Sequence, residues 1–145
     1  MKKRVFLGAL FALSVSVFAR ESYLDMKMNK VNKPIFVVVT ANHCKYCENQ
    51  KKVIENNPVL GNFIDQYFQY SVINMSRVPV PSELQPVRGT PTLYVVEKSG
   101  KVISRRSGFQ SSKSLLNFLR NSLKKRYQEE IDSGEGVVVK GVPVQ

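Results

Sequence analysis

The chain has 145 residues, of which 43% are hydrophobic and 23% charged, which is typical of one globular domain and excludes a low-complexity chain. The formal net charge is +11, and an excess of this size can attract nucleic acid or an anionic membrane. The basic residues are scattered and form no known binding motif, so we interpret them as solvated faces and predict no nucleic-acid partner, with an anionic partner as the alternative.

The first nineteen residues have the pattern of a secretory signal peptide. Lys2, Lys3 and Arg4 make the start positive, and an apolar run of fourteen residues, 5–18, leads to the small residue Ala19. Because a bilayer span needs about 20 apolar residues, we predict a cleaved signal peptide over 1–19, with an uncleaved membrane anchor as the alternative. The mature protein is then periplasmic or secreted.

A strand and two helices are predicted next in the chain. Ser22 can cap a short helix, and Pro34 then introduces Ile35–Thr40, a continuous β-branched and aromatic run. Such a run is typical of a strand that is buried on both faces, in the middle of an α/β sheet. Helices are predicted from near Cys44 to about Glu55 and from Val59 to Tyr67, followed by a strand from Gln69 to Asn74.

The only two cysteines of the chain lie close together, in Cys44-Lys45-Tyr46-Cys47. A structural disulfide stabilises an exported protein by closing a long loop of the unfolded chain, and this pair closes almost none. The spacing therefore indicates a disulfide that is made and broken. At a helix start, free N–H groups and the helix dipole stabilise a thiolate, so we predict that Cys44 attacks and that Cys47 resolves the mixed disulfide. This chemistry needs no metal and no organic cofactor.

Three neighbours of the pair are candidate tuning residues. His43, when protonated, would favour the Cys44 thiolate or make it sensitive to pH, and the alternative is a half-exposed ring that only packs beside the site. Lys45 and Tyr46 set the local field and the surface that faces a substrate.

The second half of the chain predicts a hairpin and a closing helix. A proline-rich connector with one helical turn near Ser82–Gln85 leads to Gly89-Thr90-Pro91, where local sequence alone favours a trans turn proline because only about 5% of such bonds are cis. The remaining predicted elements are a strand Thr92–Glu97, a turn Lys98–Lys101, a strand Val102–Arg106 and a helix capped by Ser111 that ends near Arg126.

This order of elements predicts an α/β fold, a mixed β-sheet with helices on both faces. We place the domain at 20–126 and a C-terminal tail at 127–145, which is either disordered or an added edge strand.

Two segments resemble the thioredoxin superfamily: Phe36–Cys47 (FVVVTANHCKYC) and Val87–Glu97 (VRGTPTLYVVE). Gly100-Lys101-Val102 and Ser107-Gly108-Phe109 extend the resemblance to about 33–125. It is greatest to secreted thioredoxin-related proteins and to the periplasmic thioredoxin-like domain of thiol:disulfide interchange proteins, which also carry an element like Asn57-Pro58-Val59 after the active-site helix.

The resemblance implies a thioredoxin-like fold in which Pro91 is a cis-proline facing the Cys44–Cys47 disulfide. It also implies that the backbone at Thr90 holds an extended substrate segment by strand-like hydrogen bonds. The sequence departs from the family pattern at three places. His43 stands where thioredoxin has Trp, Val38 replaces a buried acidic residue, and Lys45-Tyr46 is neither Gly-Pro nor Pro-His.

The predicted function is an exported thiol–disulfide oxidoreductase that acts as a reductant or isomerase-like donor. Its partners are protein thiols and disulfides and a membrane electron-donor protein, and the expected state is a monomer. One alternative is a copper carrier that uses Cys44, Cys47 and His43, with Met26 and Met28 as further soft ligands. The other is a dedicated thioredoxin-like partner in cytochrome c maturation.

Overall fold

The computed structural model of the chain describes residues 22–133. The predicted signal peptide, 1–19, and residues 134–145 of the predicted tail lie outside this range. The elements are α1 (Tyr23–Met28), β1 (Ile35–Thr40), α2 (Lys45–Glu55), α3 (Pro58–Tyr67), β2 (Gln69–Asn74), a 3₁₀ turn (Ser82–Leu84), β3 (Thr92–Val96), β4 (Val102–Ser107) and α4 (Ser112–Asp132).

Four strands form one mixed sheet in the order β2-β1-β3-β4. β1 runs parallel to β2 and antiparallel to β3, and β3 and β4 form a hairpin. The first five residues of β1 are buried, as expected of an uninterrupted apolar strand in the middle of a sheet. The predicted strands Ile35–Thr40 and Gln69–Asn74 are confirmed at both ends.

Helices cover both faces of this sheet, because successive residues of a strand point to opposite faces. Phe36 and Val38 of β1 belong to the apolar cluster that β1, β3 and β4 share with α2, α3 and α4. Ile35, Val37 and Val39 belong to a second cluster, which includes α1 and the 3₁₀ turn. The predicted α/β architecture, a mixed sheet with helices on both faces, is confirmed.

The helices begin at side chains that accept a hydrogen bond from the first turn. The hydroxyls of Ser22 and Ser111 cap α1 and α4, as predicted. Asn57 caps α3, in which Pro58 takes the first position, where its missing N–H costs nothing. None of the helices in residues 22–133 is long and apolar enough to cross a membrane.

The last helix is longer than predicted. We expected α4 to end near Arg126, and it continues to Asp132, so that residues 127–132 of the predicted tail are helical. Arg126 explains the difference, because its guanidinium contacts Glu97 at 2.6 Å and Glu130, four residues on, at 3.2 Å. Lys101 in the hairpin turn also pairs with Glu129, at 2.6 Å. The pairs with Glu97 and Lys101 hold the last turns against the hairpin, and pairs between elements distant in sequence leave no local signal.

The pairing of β1 with β3 determines where the predicted site residues meet. Val39 near the end of β1 pairs with Thr92 at the start of β3. The turn that leads from β1 into α2 and the Thr90-Pro91 segment that precedes β3 therefore lie at the same end of the sheet.

Candidate active site

The turn between β1 and α2 is held by polar side chains. The Asn42 N–H donates to the Ser76 hydroxyl at 3.0 Å, and the Asn74 amide donates to the Asn42 side chain at 3.0 Å. His43 follows with φ of 57°, in the left-handed region that few residues other than glycine adopt. This turn reverses the chain in three residues and places Cys44 at the start of α2.

Cys44 is the N-cap of α2, and its sulfur occupies the position of a capping acceptor. The Cys44 Sγ accepts a hydrogen bond from the Cys47 N–H at 3.2 Å. The two cysteines form a disulfide, with their Cα atoms 5.2 Å apart. A thiolate formed here on reduction would meet the free N–H groups and the positive end of the helix dipole.

Thr90 approaches Cys44 from the other half of the fold. Its hydroxyl donates to the Cys44 Sγ at 3.3 Å, and its carbonyl oxygen lies 3.6 Å from the same sulfur. The Thr90–Pro91 peptide bond is cis, and Pro91 is buried. The predicted residues Cys44, Cys47, Thr90 and Pro91 thus lie together.

The two cysteines differ in their exposure to solvent. Cys44 is half-buried, whereas Cys47 is buried, with 6% of its surface exposed, and belongs to the inner face of α2. Of the two cysteines, Cys44 is therefore the more open to a large partner.

The three predicted tuning residues are all exposed beside the pair. His43 precedes Cys44, Lys45 begins α2, and 65% of the Tyr46 surface is accessible. Tyr46 is the larger of the two side chains between the cysteines. The tuning roles of these residues stay predictions.

A groove of about 1480 Å³ opens beside the pair, and Thr90 is not among the residues that line it. Its walls include both cysteines, Val38 and residues of the outer strand β2. Val38, which replaces the acidic residue of the family pattern, is 3% exposed and apolar. No carboxylate is among the fully buried side chains of residues 22–133, so this part of the chain offers the pair no buried general base.

One buried residue of α2, Gln50, was not predicted from the sequence to belong to the site. Gln50 is fully buried, and its amide pairs with the backbone of Gln110 in the loop before α4. A signal was present, since Gln50 interrupts the apolar stripe that Cys47 and Ile54 form at helical spacing. That signal shows a buried amide, and it does not reveal the loop to which the amide binds.

Residues that could hold a metal ion are not clustered here. Among residues 22–133, no group of three or more His, Cys, Asp or Glu side chains could hold one. Of the two methionines considered as soft ligands, both of which lie in α1, Met26 is buried in the second apolar cluster and Met28 is 76% exposed.

The sequence of the chain matches a known protein family, and its fold matches solved structures. Residues 25–123 match the family described as a thioredoxin-like domain, which covers more than half of the chain. A thioredoxin-fold protein from Helicobacter pylori is similar in structure, with a TM-score of 0.58 and 24% identity over 68% of this chain and 73% of that one. No curated protein matches the chain.

Two further solved structures share the fold. The oxidoreductase DsbH has a TM-score of 0.54 and 20% identity over 72% of this chain and 83% of that one. The periplasmic thioredoxin SoxS from Paracoccus pantotrophus has a TM-score of 0.54 and 18% identity, over 65% of this chain and 99% of that one.

Proposed function

The chain belongs to the thioredoxin-like family, and from that premise we propose that it is an exported thiol–disulfide oxidoreductase that reduces or rearranges protein disulfides. The fold and the Cys-x-x-Cys disulfide support this class of activity. The observation that carries the proposal is the surroundings of the Cys44 sulfur. It lies at the start of α2 and accepts hydrogen bonds from the Cys47 N–H and the Thr90 hydroxyl, donors that also suit a thiolate.

The proposed reaction proceeds by two exchanges. The Cys44 thiolate attacks one sulfur of a client disulfide, a mixed disulfide forms, and the other client sulfur leaves as a thiolate. Cys47, as a thiolate, then attacks the Cys44 sulfur and releases the client as a dithiol. Two electrons pass to the client, and the protein is left with the Cys44–Cys47 disulfide.

The exposure of the two cysteines determines the proposed roles. Cys44 is the attacking residue because it is the more exposed of the two. Cys47 is the resolving residue because it is buried one helical turn away, at disulfide distance from Cys44. The proton of Cys47 leaves to the adjoining groove, where Val38 stands in place of the buried carboxylate of the family pattern.

The Thr90–Pro91 segment is the proposed substrate platform. The Thr90 carbonyl oxygen lies 3.6 Å from the Cys44 sulfur, which places the Thr90 backbone beside any chain bonded to that sulfur. An extended client segment can pair with this backbone as an added strand does. Exposed Tyr46, which lies between the two cysteines in the chain, supplies apolar contact.

The proposed direction of electron flow is reduction, and the proposed location is outside the cytoplasm. The direction rests on the sequence resemblance to interchange proteins, and the location rests on the predicted signal peptide and on the fold shared with a periplasmic thioredoxin. Each turnover leaves a disulfide, so a dithiol donor has to restore the pair. We assign this task to a membrane electron-donor protein, with this chain acting as a monomer.

Client trapping tests the proposal. The reduced wild-type protein should reduce the disulfides of insulin, and Cys47→Ser should accumulate a mixed disulfide on Cys44 because the resolving sulfur is gone. Cys44→Ser is the matched control and should form no adduct. Insulin reduction that persists in Cys44→Ser, or the absence of any adduct with Cys47→Ser, would contradict the proposal.

The same proteins distinguish the alternatives. Anaerobic titration of the reduced wild-type protein with Cu(I) would favour a copper carrier if binding were stoichiometric and tight. Adducts of Cys47→Ser with apocytochrome c alone would indicate a dedicated partner in cytochrome c maturation.

A further inference from the structure

Gln50 makes a paired contact with a loop that is distant in sequence. Its Nε2 donates to the Gln110 carbonyl at 3.1 Å, and its Oε1 accepts from the Gln110 N–H at 2.7 Å. The side chain is fully buried on α2, three residues after Cys47. One amide thus satisfies both backbone groups of Gln110, as a neighbouring strand would.

The same loop also binds the segment that carries Thr90. The Gly108 N–H donates to the Pro91 carbonyl at 2.8 Å, and the Gln110 side chain donates to the Gly108 carbonyl at 3.3 Å. Residues 108–110 therefore lie between α2 and the Thr90–Pro91 segment and are hydrogen-bonded to both. The path runs from Gln50 through Gln110 and Gly108 to Pro91.

We propose that Gln50 is a positioning residue that sets the approach of the Thr90 hydroxyl to the Cys44 sulfur, and thereby the equilibrium between dithiol and disulfide. This inference rests on the proposed thiol–disulfide exchange. Gln50 touches neither sulfur and acts by fixing α2 against the platform through Gln110. Because the contact contains no cysteine, it persists when the disulfide is reduced and the covalent link within the turn is lost.

The reduced site carries a thiolate on Cys44, and this charge determines in which direction the loss of Gln50 moves the dithiol–disulfide equilibrium. A hydroxyl donates a stronger hydrogen bond to a thiolate than to a disulfide sulfur, so the contact of Thr90 with Cys44 favours the reduced protein. A loosened α2 weakens this contact and favours the disulfide. The variant is then the stronger reductant.

The test measures the equilibrium constant of the wild-type protein and of Gln50→Met with glutathione. Met keeps the length of the side chain and removes both hydrogen bonds to Gln110. We expect the constant to move toward the disulfide at least threefold, or about 14 mV at 29.6 mV per tenfold change. Thr90→Val should then shift the constant about fivefold in the wild-type background and only about twofold in the Gln50→Met background.

Gln69→Met is the matched control. Gln69 also donates to a backbone carbonyl, that of Met26 at 3.2 Å, but it lies at the start of β2, whose partner in β1 is Ile35 at the end remote from Cys44. This control should lose stability and keep the wild-type equilibrium constant. If Gln50→Met does not fold, Gln50→Asn keeps a neutral amide that is one methylene shorter and cannot span both hydrogen bonds to Gln110, and it has to shift the constant in the same direction.

The results of these measurements distinguish the positioning role of Gln50 from the proposed exchange activity. A folded Gln50 variant with the wild-type constant, an equal shift in Gln69→Met, or additive effects of Gln50→Met and Thr90→Val would overturn the positioning role while leaving the exchange activity in place. A wild-type protein that exchanges no disulfide with glutathione would refute the proposed function and this inference with it.

Discussion

Replacing Thr90 by Val should make the protein a stronger reductant. Val keeps the β-branched shape of Thr and removes the hydroxyl that lies 3.3 Å from the Cys44 sulfur. Hydrogen bonds to charged groups contribute about 1.5–3 kcal/mol, and those to neutral acceptors about 1. The difference between a thiolate and a disulfide acceptor is therefore about 1 kcal/mol, and this stabilises the reduced form.

A free energy of about 1 kcal/mol changes an equilibrium constant about fivefold, and it corresponds to about 20 mV for a two-electron couple. Incubation in glutathione buffers of graded ratio, followed by alkylation and separation of the two forms, measures the constant directly. Thr90→Val should require a more reducing buffer than the wild-type protein for half reduction.

Thr40→Val makes the same chemical change at the end of β1 and serves as the control. Within residues 22–133, the hydrogen bonds to the Cys44 sulfur come from Cys47 and Thr90, and the Thr40 hydroxyl makes none. Its equilibrium constant should match that of the wild-type protein. A folded Thr90→Val variant with an unchanged constant would show that the hydroxyl does not stabilise the thiolate, and a shift toward the dithiol would reverse the sign of the argument.

Three further predictions concern the fold and its electrostatics. Burial raises the pKa of Glu83, but hydrogen bonds from Lys27, from its own backbone N–H and from Tyr23 bring it below the usual value of 4.5. Since the folded pKa is depressed, the contribution of Glu83 to stability is present above the unfolded pKa and is lost as the pH falls through the folded one. Glu83→Gln should thus cost about 1–2 kcal/mol at pH 7 and less at pH 3 in urea unfolding, and a cost independent of pH would contradict this. Gly108→Ala should lower the free energy of unfolding by about 1–2 kcal/mol because φ at Gly108 is +88°. Gly89→Ala is the control and should be near neutral, since Gly89 has open space around it and no positive φ. Equal costs for the two variants would exclude backbone strain as the cause. Leu119→Ala leaves a cavity between α4 and the sheet and should lower the free energy of unfolding by about 2–5 kcal/mol in the same assay. A loss below about 1 kcal/mol would contradict this prediction.

The local elements of this fold could be predicted because their causes are local. The run Ile35–Val39 is apolar without interruption, and only a strand covered on both faces buries every residue of such a run. Ser22 and Ser111 mark helix starts because a hydroxyl followed by helix-forming residues is itself the cap. The end of α4 could not be predicted in this way, because Glu97, which binds Arg126, lies between β3 and β4 and 29 residues earlier in the chain.

The sequence by itself determined the chemistry of this protein, and the tertiary structure alone decided its geometry. The spacing of Cys44 and Cys47, joined to the buried strand before them, predicts a disulfide at a helix start, since the helix imposes the distance. The approach of Thr90 to Cys44 depends on the pairing of β1 with β3, across 46 residues of chain. Gln50 shows the same limit: the pattern of α2 reveals a polar residue on an apolar face, but its partner, 60 residues away, is brought to it only by the folding of the whole sheet. Contacts of this kind are set by packing between elements, which a local pattern does not encode.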